Sequence, residues 1–262
     1  MNKLKIGDIV TRKSYKNDVL FKITKIIKTS NNEWIAIIKG ITKRIEADSY
    51  LEDLEMVDKK IAYKKINMID KKILKYIENN KEDRGNIQSY TGTILHLDGD
   101  RRYSEKSMRY YKNLGLDAVV KNIPENRQPQ MVYSLLSKYD PDILIITGHD
   151  GMIKKGIGYN DISNYRNSKY FVRSVSEARK YKRDLAIFAG ACQSYYEAII
   201  SAGANFASSP RKNNDRFYRS INSCRKNSDN REYKISYNKR YKRWTKRWRN
   251  GHKWYSEQLE KR

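Results

Sequence analysis

Apolar residues in this chain follow three successive patterns. In residues 1–57 they come in short runs: Lys5-Ile6-Gly7-Asp8-Ile9-Val10 reads as a turn leading into a strand, Leu20 to Ile27 alternates with period two, and Trp34 to Gly40 and Thr42 to Ala47 follow after polar turns. In residues 58–91, Ile61, Ile66, Ile69, Ile73 and Ile77 allow one amphipathic helix, and the polar run Asn79 to Gly85 follows as a linker. From Thr93 strands alternate with helices. Strands are predicted at Thr93–Asp98, Leu116–Val120, 142–147 and 184–189, and helices at Tyr103–Asn113, Gln130–Tyr139, Ser168–Tyr181 and Ser194–Ser201.

Four or five short strands within the first 57 residues predict a small SH3-like β-barrel, serving either as a structural module or as a docking site. The alternation after it predicts an α/β domain with a mainly parallel sheet, flanking helices on both faces and right-handed crossovers. Near-continuous apolar composition places its third and fourth strands in the centre of the sheet. The expected organisation is a barrel at 1–57, a helix and linker at 58–91, an α/β domain at 92–210 and a basic tail at 211–262.

Charge changes this picture only at the end. The formal net charge is +25, which by itself suggests a polyanionic partner, but residues 211–262 hold 18 Lys and Arg against 5 Asp and Glu. About half of the excess therefore lies in the last fifth of the chain. The remainder is rich in Lys, Asn, Ile and Tyr throughout, a bias that AT-rich coding produces, so nucleic acid is disfavoured as a partner. No apolar stretch approaches the ~18 to 20 residues that cross a bilayer, and Lys3, Lys5 and Gly7-Asp8 leave no apolar core for a signal peptide. A cytoplasmic protein without a membrane partner is expected. Cys192 and Cys224 are too few for a disulfide framework, and no Cys/His spacing of the zinc type occurs, so neither metal nor cofactor is expected.

Two predicted strands deliver reactive residues. Asp142-Ile143-Leu144-Ile145-Ile146-Thr147-Gly148 leads to His149, and Asp184-Leu185-Ala186-Ile187-Phe188-Ala189-Gly190-Ala191 leads to Cys192. A buried strand followed by glycine and a reactive side chain is how an α/β sheet presents chemistry at its carboxyl edge. A thiolate is the attacking species in cysteine-type acyl transfer, and an imidazole beside it favours its formation. Taken singly, Cys192 reads as a small buried hydrophobe and His149 as a solvated loop residue. Occurring together after successive strands, they read as nucleophile and base. Glycines at 148, 151 and 190 let backbone approach a substrate carbonyl, which makes the amides of Cys192 and of Asp150 or Gly151 candidate oxyanion donors. A helix starting at Ser194 is expected to favour the Cys192 thiolate through its N-terminus. Cys224 has no such setting.

The pair Gly148-His149-Asp150-Gly151 and Gly190-Ala191-Cys192-Gln193-Ser194 resembles the signature of caspase-like cysteine peptidases, the clostripain, gingipain and legumain group. A more specific likeness runs over about four fifths of the chain. It takes in Lys5 to Val10, Ala47-Asp48, Leu51 to Leu54, His96-Leu97-Asp98-Gly99-Asp100, Gln128-Pro129, Pro141 to Asp150, Tyr165 to Val172, Phe188 to Ser194 and Ala202 to Pro210. Together these segments resemble the YabG family, sporulation-specific proteases of spore-forming Firmicutes. The resemblance implies a caspase-like fold and a mother-cell enzyme that trims spore coat and cortex-associated proteins, with Cys192 as nucleophile and His149 as its partner.

This chain departs from those patterns in two places. The caspase-like group has Gly directly after His, where Asp150 stands here. After Pro210 composition turns basic, with Lys239 to Arg249 and three of the four Trp. An out-of-frame segment beginning near Pro210, a disordered basic tail and a nucleic-acid-binding arm are the three readings of residues 211–262. Asp98 and Asp100, after the first strand of the α/β domain, either bind a basic substrate residue by charge-assisted hydrogen bonds or build a turn. The function expected is endopeptidase action on spore coat and cortex-associated proteins by Cys/His acyl transfer. The alternative is a catalytically impaired, polyanion-binding spore protein on a peptidase scaffold, and a non-peptide amidase is a further enzymatic reading.

Overall fold

The computed structural model describes residues 4–79, 92–153 and 160–208; the tail and the expected linker lie outside the described residues. The chain forms two compact units. One comprises Met1–Gly85 with His149–Arg166, the other Asn86–Gly148 with Asn167–Arg262.

The first unit holds a five-stranded antiparallel sheet of β1 (Ile9–Arg12), β2 (Phe21–Lys28), β3 (Trp34–Gly40), β4 (Glu46–Tyr50) and β5 (Leu54–Met56), in the order β4-β3-β2-β1-β5. Alternation puts Val10, Phe21, Ile23, Ala36 and Ile38 on a buried face with Val19 and Leu54. β4 begins at Glu46, several residues later than the hydrophobic pattern suggested. Residues 41–45 are taken up by the β3–β4 connection, closed by the Gly40 amide donating to the Ile45 carbonyl at 2.8 Å, and that loop buries Arg44. Helix α1 (Lys59–Asn79) starts at Asp58, whose carboxylate accepts from the amides of Lys60 and Ile61. It packs Ala62 and Ile66 against Ile9 and Leu20. Ile61, expected on the packed face, is 64% exposed because that face is centred one residue later.

The second unit is a five-stranded, wholly parallel sheet. Its strands are β6 (Ile94–Asp98), β7 (Ala118–Asn122), β8 (Ile143–Thr147), β9 (Ala186–Ala189) and β10 (Phe206–Ala207), in the order β10-β9-β8-β6-β7. The third and fourth strands of the unit, β8 and β9, each have a neighbour on both sides. β10 pairs with β9 within a stretch where no strand was predicted; two residues are too few for periodicity to mark.

Helices α2 (Arg101–Asn113), α3 (Gln128–Tyr139), α4 (Ser168–Tyr181) and α5 (Tyr196–Ser201) connect these strands. Leu95 and Leu97 join the core made with α3, α4 and α5, while the intervening His96 meets Tyr111 of α2. The sheet therefore carries helices on both faces, as a parallel sheet requires. α3 starts at Gln128 rather than Gln130, since Pro129 fits the first helical turn, where an N–H has no intrahelical partner. α5 starts at Tyr196, two residues later than predicted. The last two strands are tied by Arg179 of α4, whose guanidinium donates to the Leu185 and Gly203 carbonyls and to Asn205 Oδ1.

Candidate active site

In the second unit, β6 and β8 end level with each other, Asp98 facing Thr147 across the parallel ladder. The next residues are Gly99 and Gly148, and the Gly99 amide donates to the Thr147 carbonyl at 3.0 Å. A polar chain runs beneath this edge. Thr147 Oγ1 donates to Asp98 Oδ2 at 2.9 Å, so the hydrogen between His96 Nε2 and Thr147 Oγ1, 2.7 Å apart, comes from the ring. His96 Nδ1 then accepts from the Tyr111 hydroxyl at 3.0 Å. His96, Asp98 and Thr147 are all buried. A continuous run of contacts thus links Tyr111, His96, Thr147 and Asp98, with a hydrogen on His96 Nε2.

Asp98 and Asp100, the acids considered for substrate recognition, are brought together here in structural roles. Asp98 Oδ1 accepts from the Asp100 amide at 2.8 Å, and Asp100 caps α2 by accepting from the Tyr103 amide at 3.2 Å. Asp98 is fully enclosed, whereas Asp100 is half-buried.

Sequence reasoning passed over Glu125. Its buried carboxyl group lies against both edge glycines: a Cβ on Gly99 would fall 2.3 Å from its Oε1, and one on Gly148 2.5 Å. A larger residue at either position would require the Glu125 carboxyl group to shift. The signal available was the repeated glycine directly after two strands, but nothing in the chain points from there to residue 125. Gln128 completes the edge, its amide donating to the carbonyls of Ile123 and Thr147.

Cys192 lies three residues beyond β9 and is half-buried. Gly190 turns the chain out of the strand at φ +115°, a conformation that favours glycine. The turn after it is closed by the Ala191 amide donating to Ser194 Oγ at 2.8 Å, and the Tyr195 amide donates to Ser168 Oγ at 2.8 Å. Cys192 therefore belongs to a fixed turn, and the six-residue α5 begins four residues later. The helix expected from Ser194 thus begins two residues later than predicted.

His149 belongs to the first unit, where it is fully buried. Its Nε2 lies 3.0 Å from the carbonyl oxygen of Gly40, at the end of β3. A carbonyl only accepts, so Nε2 carries a hydrogen. Asp150 bridges to Ile45 in parallel fashion, and its carbonyl accepts from the Glu46 amide at 2.9 Å. The Gly151 amide, one of the candidate oxyanion donors, donates to Asp150 Oδ1 at 2.8 Å. His149, Asp150 and Gly151 thus share one loop seated on the N-terminal sheet, while Cys192 is held in the turn after β9 of the other unit.

Among the described residues no group of three or more His, Cys, Asp or Glu is arranged to hold a metal ion. Nor is any described helix long and apolar enough to cross a membrane.

The comparisons with known proteins specify the class as peptidase. The chain belongs to the YabG peptidase U57 family, whose model matches residues 5–226. It is 40% identical over 230 residues to the sporulation-specific protease YabG of Bacillus subtilis (strain 168), covering 80% of this chain and 79% of that protein. The family match runs past Pro210, so the family pattern does not stop where the composition turns basic. Among solved structures, the A domain of carboxylic acid reductase from Segniliparus rugosus is similar with a TM-score of 0.35 and 12% identity. That match covers 81% of this chain and 28% of the reductase chain.

Proposed function

We propose that this protein is a sporulation-specific cysteine endopeptidase that processes spore coat and cortex-associated proteins in the mother-cell cytoplasm, with Cys192 as nucleophile and His149 as general base and acid. The family and the name of the Bacillus subtilis relative support the biological setting. The observation that carries the residue assignment is the pairing of β8 with β9. These strands are adjacent and parallel, Ile146 opposite Ala189, and the chain reaches His149 two residues beyond β8 and Cys192 three residues beyond β9. The strand order, with the second strand of the sheet outside the first, supports a caspase-like reading, and the five short antiparallel strands support an SH3-like one for the N-terminal sheet.

In this mechanism the Cys192 thiolate attacks the peptide carbonyl carbon, forming a C–S bond as the carbonyl π electrons move to oxygen. The amide of Cys192, with that of Asp150 or Gly151, holds the oxyanion, the Gly151 amide first exchanging its bond to Asp150. His149, holding the thiol proton on Nδ1, passes it to the leaving amine as the C–N bond breaks. The thioester left on Cys192 is then hydrolysed by water that His149 deprotonates. Half-buried Asp100 is offered to a basic substrate residue; enclosed Asp98 supports it from beneath.

Incubating wild type, Cys192→Ala and His149→Ala with a spore coat extract tests this reading. Both variants should lose cleavage by about 10³-fold or more. Cleavage retained by Cys192→Ala would exclude the cysteine mechanism.

A further inference from the structure

The loop that carries His149 is fastened to the N-terminal sheet at both of its ends. At the first end lie the His149 to Gly40 hydrogen bond and the pairing of Asp150 with Ile45 and Glu46. The loop then returns through an antiparallel bridge between Met152 and Tyr165, with the Ile153 amide donating to the Asn164 carbonyl at 2.7 Å. At the second end the Arg166 amide donates to the Gly151 carbonyl at 3.0 Å, and the Arg166 guanidinium pairs with the Asp48 carboxylate. Asp48 lies on β4 two residues beyond Glu46, so one short strand grips both ends. The guanidinium side chain is 15% exposed and the carboxylate 39%, which leaves the pair partly screened from water.

We propose that Asp48 and Arg166 form a latch that holds the His149 loop in register on the N-terminal sheet, making that sheet a working part of the peptidase. Asp48 is a positioning residue that acts through Arg166, Gly151 and Asp150 on the orientation of His149. The acceptor that sets the ring tautomer is the Gly40 carbonyl, and its place is fixed by the β3–β4 connection. A Cβ on Gly40 would fall 2.3 Å from the Lys43 carbonyl oxygen, so the close turn there needs glycine. If the loop slips on β4, the imidazole loses this acceptor, and which ring nitrogen carries the hydrogen is no longer specified. Bidentate-capable Arg suits such a latch because its planar fork fixes direction as well as distance.

The inference rests on His149 being the partner of Cys192, and the test separates the two claims. The full chain with Cys224→Ser is compared with the same chain carrying Asp48→Asn, Arg166→Lys, the exchange Asp48→Arg with Arg166→Asp, or His149→Ala. Two readouts are taken: turnover of a spore coat extract, and the pH dependence of Cys192 alkylation by iodoacetamide. With the latch as described, Asp48→Asn lowers kcat about 10- to 100-fold with KM held within about twofold, the size of effect expected from slight misplacement of a catalytic group. It also moves the alkylation midpoint up by about one pH unit, towards that of an ordinary thiol. Arg166→Lys gives a smaller loss, and the exchange recovers most of it.

Unchanged kcat and alkylation in Asp48→Asn, with His149→Ala inactive, overturns the latch and leaves the Cys/His mechanism standing. A fall in thermal stability and kcat together, with the alkylation midpoint unmoved and no recovery on exchange, also overturns it and leaves a purely structural ion pair. Activity retained by His149→Ala removes the mechanism, and the latch with it.

Discussion

At the scale of single residues, the carboxyl edge of the parallel sheet depends on groups that are buried and mutually satisfied. Thr147 stands between His96 and Asp98, and its hydroxyl both accepts from one and donates to the other. Thr147→Val keeps the shape and deletes both bonds, leaving a buried ring N–H and a buried carboxylate oxygen short of a partner. A loss of about 1–3 kcal/mol in stability is expected by urea denaturation; an unchanged midpoint would show that the chain of hydrogen bonds is dispensable. Gly148→Ala brings a methyl group against the Glu125 carboxyl, the movable end of its side chain, so a loss of about 1 kcal/mol, the low end for overpacking, is expected by the same denaturation. Adding Glu125→Ala should return part of that loss, whereas additive losses would place the strain elsewhere.

His149 and Cys192 are singled out by sequence because each comes shortly after a strand and a glycine, and their roles stand as a proposal. Glu125, His96 and Tyr111 are not singled out in this way, since each acts across a tertiary contact that leaves no local pattern. Asp98 and Asp100 were noticed as a pair, but spacing alone cannot tell an enclosed carboxylate from an exposed one.

At the scale of elements, the hydrophobic pattern located most strands and the helices, missed the two-residue β10, and failed at element ends. α4 spans the predicted Ser168–Tyr181, its buried Phe171, Val175 and Ala178 keeping helical spacing over several turns. β4 and α5 were misplaced by a few residues because loop bonds compete there: the Gly40 to Ile45 closure delays the strand, and the turn closed by Ala191 and Ser194 delays the helix. In the proposed mechanism thiolate formation relies on the imidazole. His149→Ala should therefore shift Cys192 alkylation to the pH range of a free thiol, near about 8.5; a midpoint that stays where wild type has it would mean that another group activates the sulfur. Asp100→Ala, which removes the α2 cap, is expected to cost about 1 kcal/mol of stability. If cleavage after basic residues falls as well, by more than the folded fraction explains, Asp100 also touches substrate.

At the scale of the whole molecule, the division into units does not follow chain order. His149–Arg166 leaves the α/β part of the sequence and joins the N-terminal sheet. Hydropathy could not show this, because the joining forces are main-chain pairing to Ile45 and Glu46 and one ion pair between residues 118 positions apart. It also recasts the choice between a structural module and a docking site for residues 1–57: the sheet there seats the loop that bears the proposed base. The family match to residue 226 means that some of the basic stretch after Pro210 belongs to the family pattern.

The most direct measurement of the central claim is mass spectrometry of the full chain after brief iodoacetamide treatment, paired with spore coat cleavage by the same samples. The account predicts selective alkylation of Cys192 over Cys224 at neutral pH, cleavage lost in proportion to that modification, and neither selectivity nor cleavage in His149→Ala. Full cleavage by a chain whose Cys192 is quantitatively alkylated would contradict it.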